Sequence, residues 1–351
     1  MTRAMNSKNK RIETRKEIHL INTLWSANSG SETHTLRLFE ILSRDADVTL
    51  WSQYTIASEI ARSFPVKVID PKRLLFPKSG IFVFVGTYFS YGRWPILTHP
   101  SRIIVLYNTS NEDLLTKNLQ RLQWPHLPKV EILYASHELE EEFGVPGVVE
   151  LSPIDLERFS PRLDQYTGTP RAFTVGRLTR DWPDKHFLKD SAFYDVLTDH
   201  HIRVRIMGGM SVRERLRTDS NVELLPPLTE EAVEFLRTLD CFYYRTHENW
   251  FEPYGRVIFE AMACGIPVVA HRAGGYARYI THGLNGFLFD EEHEALGYIL
   301  RLRDDLELRR RIQIEARRLA EELYGTEFDR KLRQYYLGDN RESKGLARQT
   351  R

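Results

Sequence analysis

The chain has 351 residues, enough for two domains that each bury a core of their own. Its 42% hydrophobic content excludes an intrinsically disordered protein, and a formal net charge of +1 excludes a nucleic-acid binder held by bulk electrostatics. Two cysteines, Cys241 and Cys264, cannot build a disulfide framework; both read as small core residues, and a reducing, cytoplasmic setting is expected.

Residues 1–16 are basic and lack the apolar stretch of a secretory signal, so they read as a disordered leader. No later apolar run reaches the ~18 residues needed to cross a bilayer. Short β-rich runs then follow at 18–25, 48–52, 66–70, 81–86, 102–108, 130–136 and 148–151. Between the first two, residues 32–43 carry Leu36, Phe39 and Leu42 at helical spacing. Strands of near-continuous Val, Ile and Phe are buried on both faces, which predicts a parallel sheet covered by helices. The pattern breaks at the Pro/Gly/Asp-rich stretch 160–169, where the domain boundary is expected, between 163 and 164. It restarts with runs at 171–177, 202–207, 222–225, 241–246, 266–270 and 286–289. Helical segments separate them at 187–197, 230–239, 256–264 and 292–302, and 304–323 reads as a surface helix. The fold class is therefore α/β, with two Rossmann-like, doubly wound domains at 17–163 and 164–325 facing across a cleft. Open α/β sheets bind ligands beyond the carboxyl ends of their strands, so functional residues are sought in those loops. The basic stretch 339–351 reads as a disordered tail. Either basic end would give a weak association with an anionic membrane surface.

The strongest pattern runs from Glu252 through Pro253, Tyr254 and Gly255 to Glu260, followed by Ala-Met-Ala-Cys-Gly-Ile-Pro. Gly255 suits a helix entry, Gly265 a C-cap, and Val257, Ile258, Ala261 and Met262 an apolar face. Glu252 and Glu260 would lie about 12 Å apart if the segment were helical throughout. That separation suits two ends of a sugar-diphosphate-nucleoside, with helix-start amides between them to receive phosphate oxygens. A second pattern, Gly176-Arg177-Leu178 ending a strand with Lys185 beyond it, offers two cations to a departing diphosphate, Arg180 competing with Lys185 for that task. A third, Ser29-Gly30-Ser31-Glu32 after the first strand, reads both as an anion cradle and as a capped helix start with Ser29 or Ser31 as N-cap. It lacks the glycine spacing of a dinucleotide-binding loop. Asp45-Ala46-Asp47 matches a metal-binding pattern but sits at the amino end of a strand, away from the cleft. His137 and His200-His201 lack companions at metal-ligand spacing.

The two glutamates with their internal glycine and trailing Ala-Met-Ala-x-Gly-x-Pro resemble the signature of the retaining glycosyltransferases of GT-B fold, glycosyltransferase family 4. The resemblance implies that Glu252 contacts the donor sugar, that Glu260 binds the ribose, and that Arg177 and Lys185 hold the diphosphate. It extends to glycine turns at Met207-Gly208-Gly209, Gly274-Gly275 and Gly283 to Gly286, and to Asp155, Phe159 and Pro161 at an interdomain hinge. It also implies a helix at 326–338 that crosses back to the N-terminal domain. The expected donor-binding set is Glu260, Gly176, Gly255, Tyr254, Gly208, Gly275 and Gly30, with Arg177, Lys185 and Glu252 as catalytic groups. The chain departs from the family at Arg278, where a glutamate is usual, and in lacking an N-domain histidine near the transferred carbon; Asn108 or Tyr88 is expected on that side. The implied partners are a nucleotide-sugar donor and a glycan, lipid-linked or small-molecule acceptor at the cytoplasmic face, in cell-envelope polysaccharide synthesis, with no metal or other cofactor. A nucleotide-sugar 2-epimerase and an inactive glycan- or nucleotide-binding protein share the architecture and stay open as alternatives.

Overall fold

The computed structural model describes residues 15–27, 29–162, 171–217, 219 and 221–338. The expected domain boundary, the tail and nearly all of the leader lie outside these residues.

The first sheet contains β1 (Glu17–Asn22), β2 (Asp47–Ser52), β3 (Val66–Val68), β4 (Ser79–Val85), β5 (His99–Tyr107), β6 (Val130–Tyr134) and β7 (Val148–Val149). Its order is β3-β2-β1-β4-β5-β6-β7, and every pairing is parallel. Between its strands run α1 (Gly30–Leu42), α2 (Ser58–Ser63), α3 (Glu112–Arg121) and α4 (His137–Phe143). The second sheet contains β8 (Thr174–Leu178), β9 (Arg203–Met207), β10 (Glu223–Leu225), β11 (Cys241–Tyr244), β12 (Val268–His271) and β13 (Phe287–Phe289). It is parallel too, in the order β10-β9-β8-β11-β12-β13. Its helices are α5 (Asp190–Asp199), α6 (Ala232–Leu236) and α7 (Arg256–Ala263), followed by α8 (Glu292–Asp304), α9 (Leu306–Tyr324) and α10 (Thr326–Leu337). The strand order reverses between β1 and β4 and again between β8 and β11, so each sheet has one crevice at its carboxyl edge.

Residues that were apolar on both faces of a predicted strand are buried, as in Ile81 to Val85 and Ile103 to Leu106. In α1 the buried stripe is Leu38, Ile41 and Leu42, while Leu36 and Phe39 flank it, so the face is rotated from the spacing first read. Ser29 is the N-cap of α1 by backbone geometry, but its hydroxyl makes no capping bond; its carbonyl accepts from Thr33 N at 3.0 Å. Both cysteines are buried and unpaired. Among the described residues no helix is long and apolar enough to cross a membrane.

Residues 150–162 join the domains with hardly any regular structure, so their carbonyls need side-chain donors. Arginines supply them: Arg256 donates to Pro153 O at 2.6 Å, Arg317 to Phe159 O at 2.8 Å, and Arg237 to Ser160 O at 3.0 Å. The helix α10 returns to the first domain, where Arg102 donates to the carbonyls of Tyr335 and Tyr336 at 2.8 and 3.0 Å. Asp45 forms an ion pair with Arg333 of α10 at 2.7 Å, which accounts for it structurally.

The deepest anchor of α10 is Glu150, fully buried, which accepts from Tyr336 Oη at 2.7 Å and lies 2.8 Å from His34 Nε2. Replacing Tyr336→Phe strips a buried carboxylate of one donor and should lower unfolding free energy by about 1–3 kcal/mol. Urea denaturation measures this, and an unchanged midpoint would show that α10 docks without that contact.

Candidate active site

The crevice of the second sheet opens between β8 and β11, and the candidate groups come from these two strands and the loops that follow them. Lys185 arrives from a short 3-10 turn after β8, and Glu252 from the loop between β11 and α7. Lys185 Nζ lies 2.5 Å from Glu252 Oε2, and Tyr244 Oη donates to the same oxygen at 2.7 Å. Glu252 Oε1 accepts no hydrogen bond among the described residues. The indole of Trp250 lies 4.4 Å below the ammonium. Arg177 is fully buried: its guanidinium stands 4.6 Å over the Tyr244 ring and donates through Nη2 to the Lys185 carbonyl. Its Nε and Nη1 are buried without a partner among the described residues.

Burial is the largest influence on both members of the acid–base pair. It pulls the Lys185 ammonium below its ordinary range, partly offset by Glu252. It pushes Glu252 up, but the Lys185 charge and the hydrogen bonds from Lys185 and Tyr244 outweigh it, leaving the carboxyl below its ordinary value. The 2.5 Å contact makes Lys185 and Glu252 a close buried ion pair.

Behind Arg177 lies a layer the sequence did not announce. Asp190, the first residue of α5, accepts from Tyr243 Oη at 2.9 Å, and its Oδ2 has no partner among the described residues. Burial drives its carboxyl up to about 7, against the opposing pull of Arg177. His186 Nε2 lies 2.9 Å from the Gly208 carbonyl, which fixes its proton there and leaves Nδ1 a buried, unused acceptor. Burial, then the charge of Arg177, holds that imidazole down at about 4.

The glycines divide by what their neighbours demand. A Cβ on Gly208 (φ +84°) would fall 1.8 Å from Thr179 O, and one on Gly275 would fall 1.9 Å from Pro253 O, so the backbone approaches closely at both. Gly255 (φ +72°) is the left-handed N-cap of α7. Gly176 departs from the donor role: a Cβ there would fall 2.3 Å from Leu239, so its demand is core packing, on the sheet face opposite Arg177. Gly30 has open space around it.

Two other expected donor residues are engaged by groups at the domain junction. Tyr254 is buried at the domain junction, donating to Ser152 O at 3.4 Å and meeting Tyr324 Oη, because Gly255 turns the chain away from the crevice there. Glu260, buried on α7, accepts from Arg256 Nε at 2.8 Å, and Arg256 also reaches Ser152 Oγ at 2.8 Å. Burial raises its carboxyl despite Arg256. No described contact joins Glu260 to the Lys185–Glu252 pair.

On the first sheet, Tyr88 Oη lies 2.9 Å from Asn22 Oδ1 and 3.1 Å from Thr23 Oγ1, and Thr23 in turn donates to Glu32 at 2.8 Å. Asn108 is half-buried past β5 and accepts from Thr109 Oγ1 at 3.4 Å. Arg278, the departure from the family pattern, faces Glu138 at 3.5 Å and Glu141 at 3.9 Å on α4, so its charge is spent between the domains. Among the described residues no group of three or more His, Cys, Asp or Glu is placed to hold a metal ion.

Comparison with known proteins fits this geometry. Residues 157–319 match the family described as "Glycosyl transferases group 1". A D-inositol 3-phosphate glycosyltransferase of Pseudarthrobacter chlorophenolicus is 31% identical over 180 residues, covering 45% of this chain and 42% of that one. A sucrose synthase of Solanum tuberosum is 26% identical over 236 residues, 65% of this chain and 25% of the other. The chain thus spans less than half the length of these relatives. Among solved structures, Anabaena HepE in complex with UDP and glucose superposes with a TM-score of 0.71 at 16% identity, over 92% of this chain and 99% of that one. WaaG, a glycosyltransferase involved in lipopolysaccharide biosynthesis, superposes with a TM-score of 0.66 at 12% identity, over 92% of this chain and all 100% of the other. The fold is GT-B.

The two buried titrating groups carry opposite signs in stability. Asp190 titrates at about 7 in the fold against an ordinary 3.8, so its contribution is complete below about pH 4 and lost as pH rises toward 7. His186, at about 4 against 6.5, contributes fully above pH 6.5 and loses that as pH falls toward 4. The limbs offset each other in the wild type. Asp190→Asn should leave a midpoint that climbs with pH across this window, and His186→Gln one that falls, each by at most about 1.4 kcal/mol per pH unit. Calorimetric melts at a series of pH values separate the two; equal slopes in both variants would contradict the assignment.

Proposed function

We propose that this chain is a glycosyltransferase, moving a sugar from a nucleotide-sugar donor to an acceptor hydroxyl. The observation that carries the reading is Arg177: two nitrogens of a permanent cation, Nε and Nη1, lie buried and unused beside the Lys185–Glu252 pair, at the carboxyl edge of a doubly wound sheet. A buried donor left unpaired is costly, and a diphosphate oxygen is the kind of acceptor that satisfies it. Support comes also from the group 1 glycosyltransferase match over 157–319 and from structural neighbours solved in complex with UDP-glucose or with UDP and glucose.

In this reading the donor diphosphate lies against Arg177 and Lys185, with backbone amides near Gly255 and Gly275 completing the cradle. Lys185 has three N–H donors and gives one to Glu252, so it can hold carboxylate and phosphate together. Glu252 Oε1 receives a hydroxyl of the donor sugar. Glu260 receives the ribose hydroxyls, reached by rotation away from Arg256. The bond between the anomeric carbon and the phosphate oxygen breaks through an oxocarbenium-like state. The electron pair leaves with the diphosphate, whose growing charge the two cations stabilise. The acceptor oxygen attacks the same face and its proton passes to the leaving phosphate, which retains the anomeric configuration, as the likeness to glycosyltransferase family 4 implies. No step needs a metal. We place the acceptor among glycans, lipid-linked sugars or small molecules, and the reaction in the cytoplasm, next to the membrane surface, in envelope polysaccharide synthesis.

A thermal-shift panel of UDP, GDP, ADP and their sugar conjugates tests this directly. One nucleoside diphosphate should raise the melting midpoint, because a ligand that binds only the native state stabilises it by mass action. Arg177→Ala and Glu252→Gln should each cost about 10²–10³ in turnover of the donor so identified, the scale of one lost preorganised donor. A panel with no shift, or variants that turn over like wild type, would refute the proposal.

A further inference from the structure

We propose that one face of the first domain docks on an anionic lipid bilayer, inserting the adjacent leucines Leu74 and Leu75 among headgroups that the surrounding lysines and arginines attract. This partner is independent of the glycosyltransferase reading: the surface lies outside the donor crevice and uses none of its residues.

The charge of the chain is unevenly spread. From Arg62 to Lys129 stand ten lysines and arginines against three acids, Asp70, Glu112 and Asp113, in a chain whose formal net charge is +1. Ion pairing does not consume this excess. Arg73 pairs with Asp70 at 3.6 Å and Arg102 with Glu131 at 2.7 Å. Lys72, Lys78, Arg93, Lys117 and Lys129 are exposed and have no carboxylate partner among the described residues. Such a cluster is attracted to the negative surface of an anionic leaflet.

The fold gathers these cations on one face. The connections from β3 to β4, β4 to β5 and β5 to β6 run in one direction across the sheet, while those carrying α1 and α2 run in the other. Right-handed crossovers therefore put the segment 69–78, the short turn Trp94–Leu97 and α3 on one face, and α1 and α2 on the opposite one. The contacts agree. Trp94 lies 5.6 Å from the Phe76 ring and 5.8 Å from that of Phe82, His99 N donates to Lys78 O at 2.8 Å, and His126 Nε2 lies 2.9 Å from Ile96 O. Beside the turn, Arg93, Ile96, Lys117, Gln120, Arg121 and Trp124 line a hollow of about 510 Å³. Its three cations and its indole suit a phosphate headgroup with the start of its acyl chains.

Apolar side chains break the surface within this basic field. Leu74 is 61% exposed, Leu75 52%, Leu97 61% and Trp124 44%. The two adjacent leucines belong to a closed loop. Asp70 and Leu75 exchange backbone hydrogen bonds at 2.8 and 2.9 Å, and the Asp70 carboxylate accepts from Lys72 N at 3.1 Å and Arg73 N at 3.3 Å. The loop is thus pinned at its base, with Lys72 and Arg73 next to the leucines in sequence. Leu74 adopts φ +55°, a left-handed conformation that glycine or asparagine occupies at little cost and leucine does not. An exposed leucine gains nothing from the core to offset that strain, which points to a use outside the fold.

Cations and leucines together select the partner. A nucleic acid answers the lysines and arginines but offers no apolar phase to Leu74, Leu75 and Leu97. A second copy of the chain would bring the same positive face against its like. An anionic bilayer has both layers in the right order, negative charge outermost and hydrocarbon just beneath it.

Flotation of the full chain with lipid vesicles decides this. Vesicles of equimolar phosphatidylglycerol and phosphatidylcholine should carry the protein, vesicles of phosphatidylcholine alone should not, and added salt should weaken the binding. Leu74→Asn combined with Leu75→Ser tolerates the left-handed turn and should weaken binding about tenfold or more. Lys72→Ala and Lys117→Ala should each weaken it about fivefold, the effect of ~1 kcal/mol per cation near an anionic leaflet. Ile314→Ser, at an exposed position on α9, should change nothing. A cooperative urea transition no lower than that of wild type shows that each variant folds. Equal binding to neutral vesicles, undiminished binding by the double leucine variant, or the same loss in Ile314→Ser would overturn the proposal. So would capture of a DNA duplex in preference to vesicles, or a lipid-free dimer that the leucine variant dissolves, since each gives the face another occupant. Vesicle binding by a chain whose melting no nucleoside diphosphate shifts would refute the donor reading and leave this surface standing.

Discussion

A guanidinium that cannot release its proton is sealed inside the second domain, and the candidate site is arranged around it. Removing such an ion from water is expensive unless its surroundings answer the charge. Arg177 is answered by the ring face of Tyr244, by the carbonyl of Lys185 and by the field of Asp190, yet two of its donors stay unused. His186 is held neutral beside it, which avoids a second buried cation. Lys185, the other cation of the cluster, is neutralised by Glu252 rather than left facing Arg177. The domain thus stores one buried positive charge that is only partly answered, beside the Lys185–Glu252 pair. That is a poor way to stabilise a core and a direct way to bind an anion.

The connection between domains follows a different rule. The joining segment has few backbone partners, and arginines from α6, α7 and α9 cap its carbonyls instead. One of them, Arg256, also holds Glu260. The carboxylate expected at the ribose is therefore linked to the joint through a single side chain. Arg278, reaching Glu138 and Glu141, adds an exposed electrostatic contact on the other side of the cleft, of the kind that is weak and screened by salt.

The strands were legible because parallel strands buried on two faces are read as continuous apolar runs with turns between them. The Glu252 to Gly265 segment was legible because helix entry, apolar face and C-cap each carry their own residue signal. What escaped had no such signal. Gly176 looks like a phosphate glycine in the sequence, but strand alternation turns it from Arg177 toward Leu239. Tyr254 sits between two motif residues and still faces the junction, since a positive φ at Gly255 redirects the chain. Asp190, Tyr243 and His186 surround Arg177 only through tertiary packing, at sequence distances no local pattern spans. Leu24, left-handed at φ +51° next to the exposed Trp25, reads as one more apolar residue at a strand end.

The two crevices share a topology and differ in chemistry. Each lies where a parallel sheet reverses its strand order, each has buried polar atoms without partners, and each is flanked by tyrosines. In the second domain the unsatisfied groups are donors on a cation; in the first they are acceptor oxygens, including a carboxylate. A ligand that satisfies both must be anionic at one end and rich in hydroxyls at the other, or else be two molecules that meet between them. One fold repeated with opposite polarity therefore defines a direction across the cleft. The unused nitrogens of Arg177 match an anion, while the unused oxygens of Glu32 and Thr87 match N–H or O–H donors. In the proposed transfer the bond that breaks leaves its charge on the cationic side, and the attacking oxygen comes from the other.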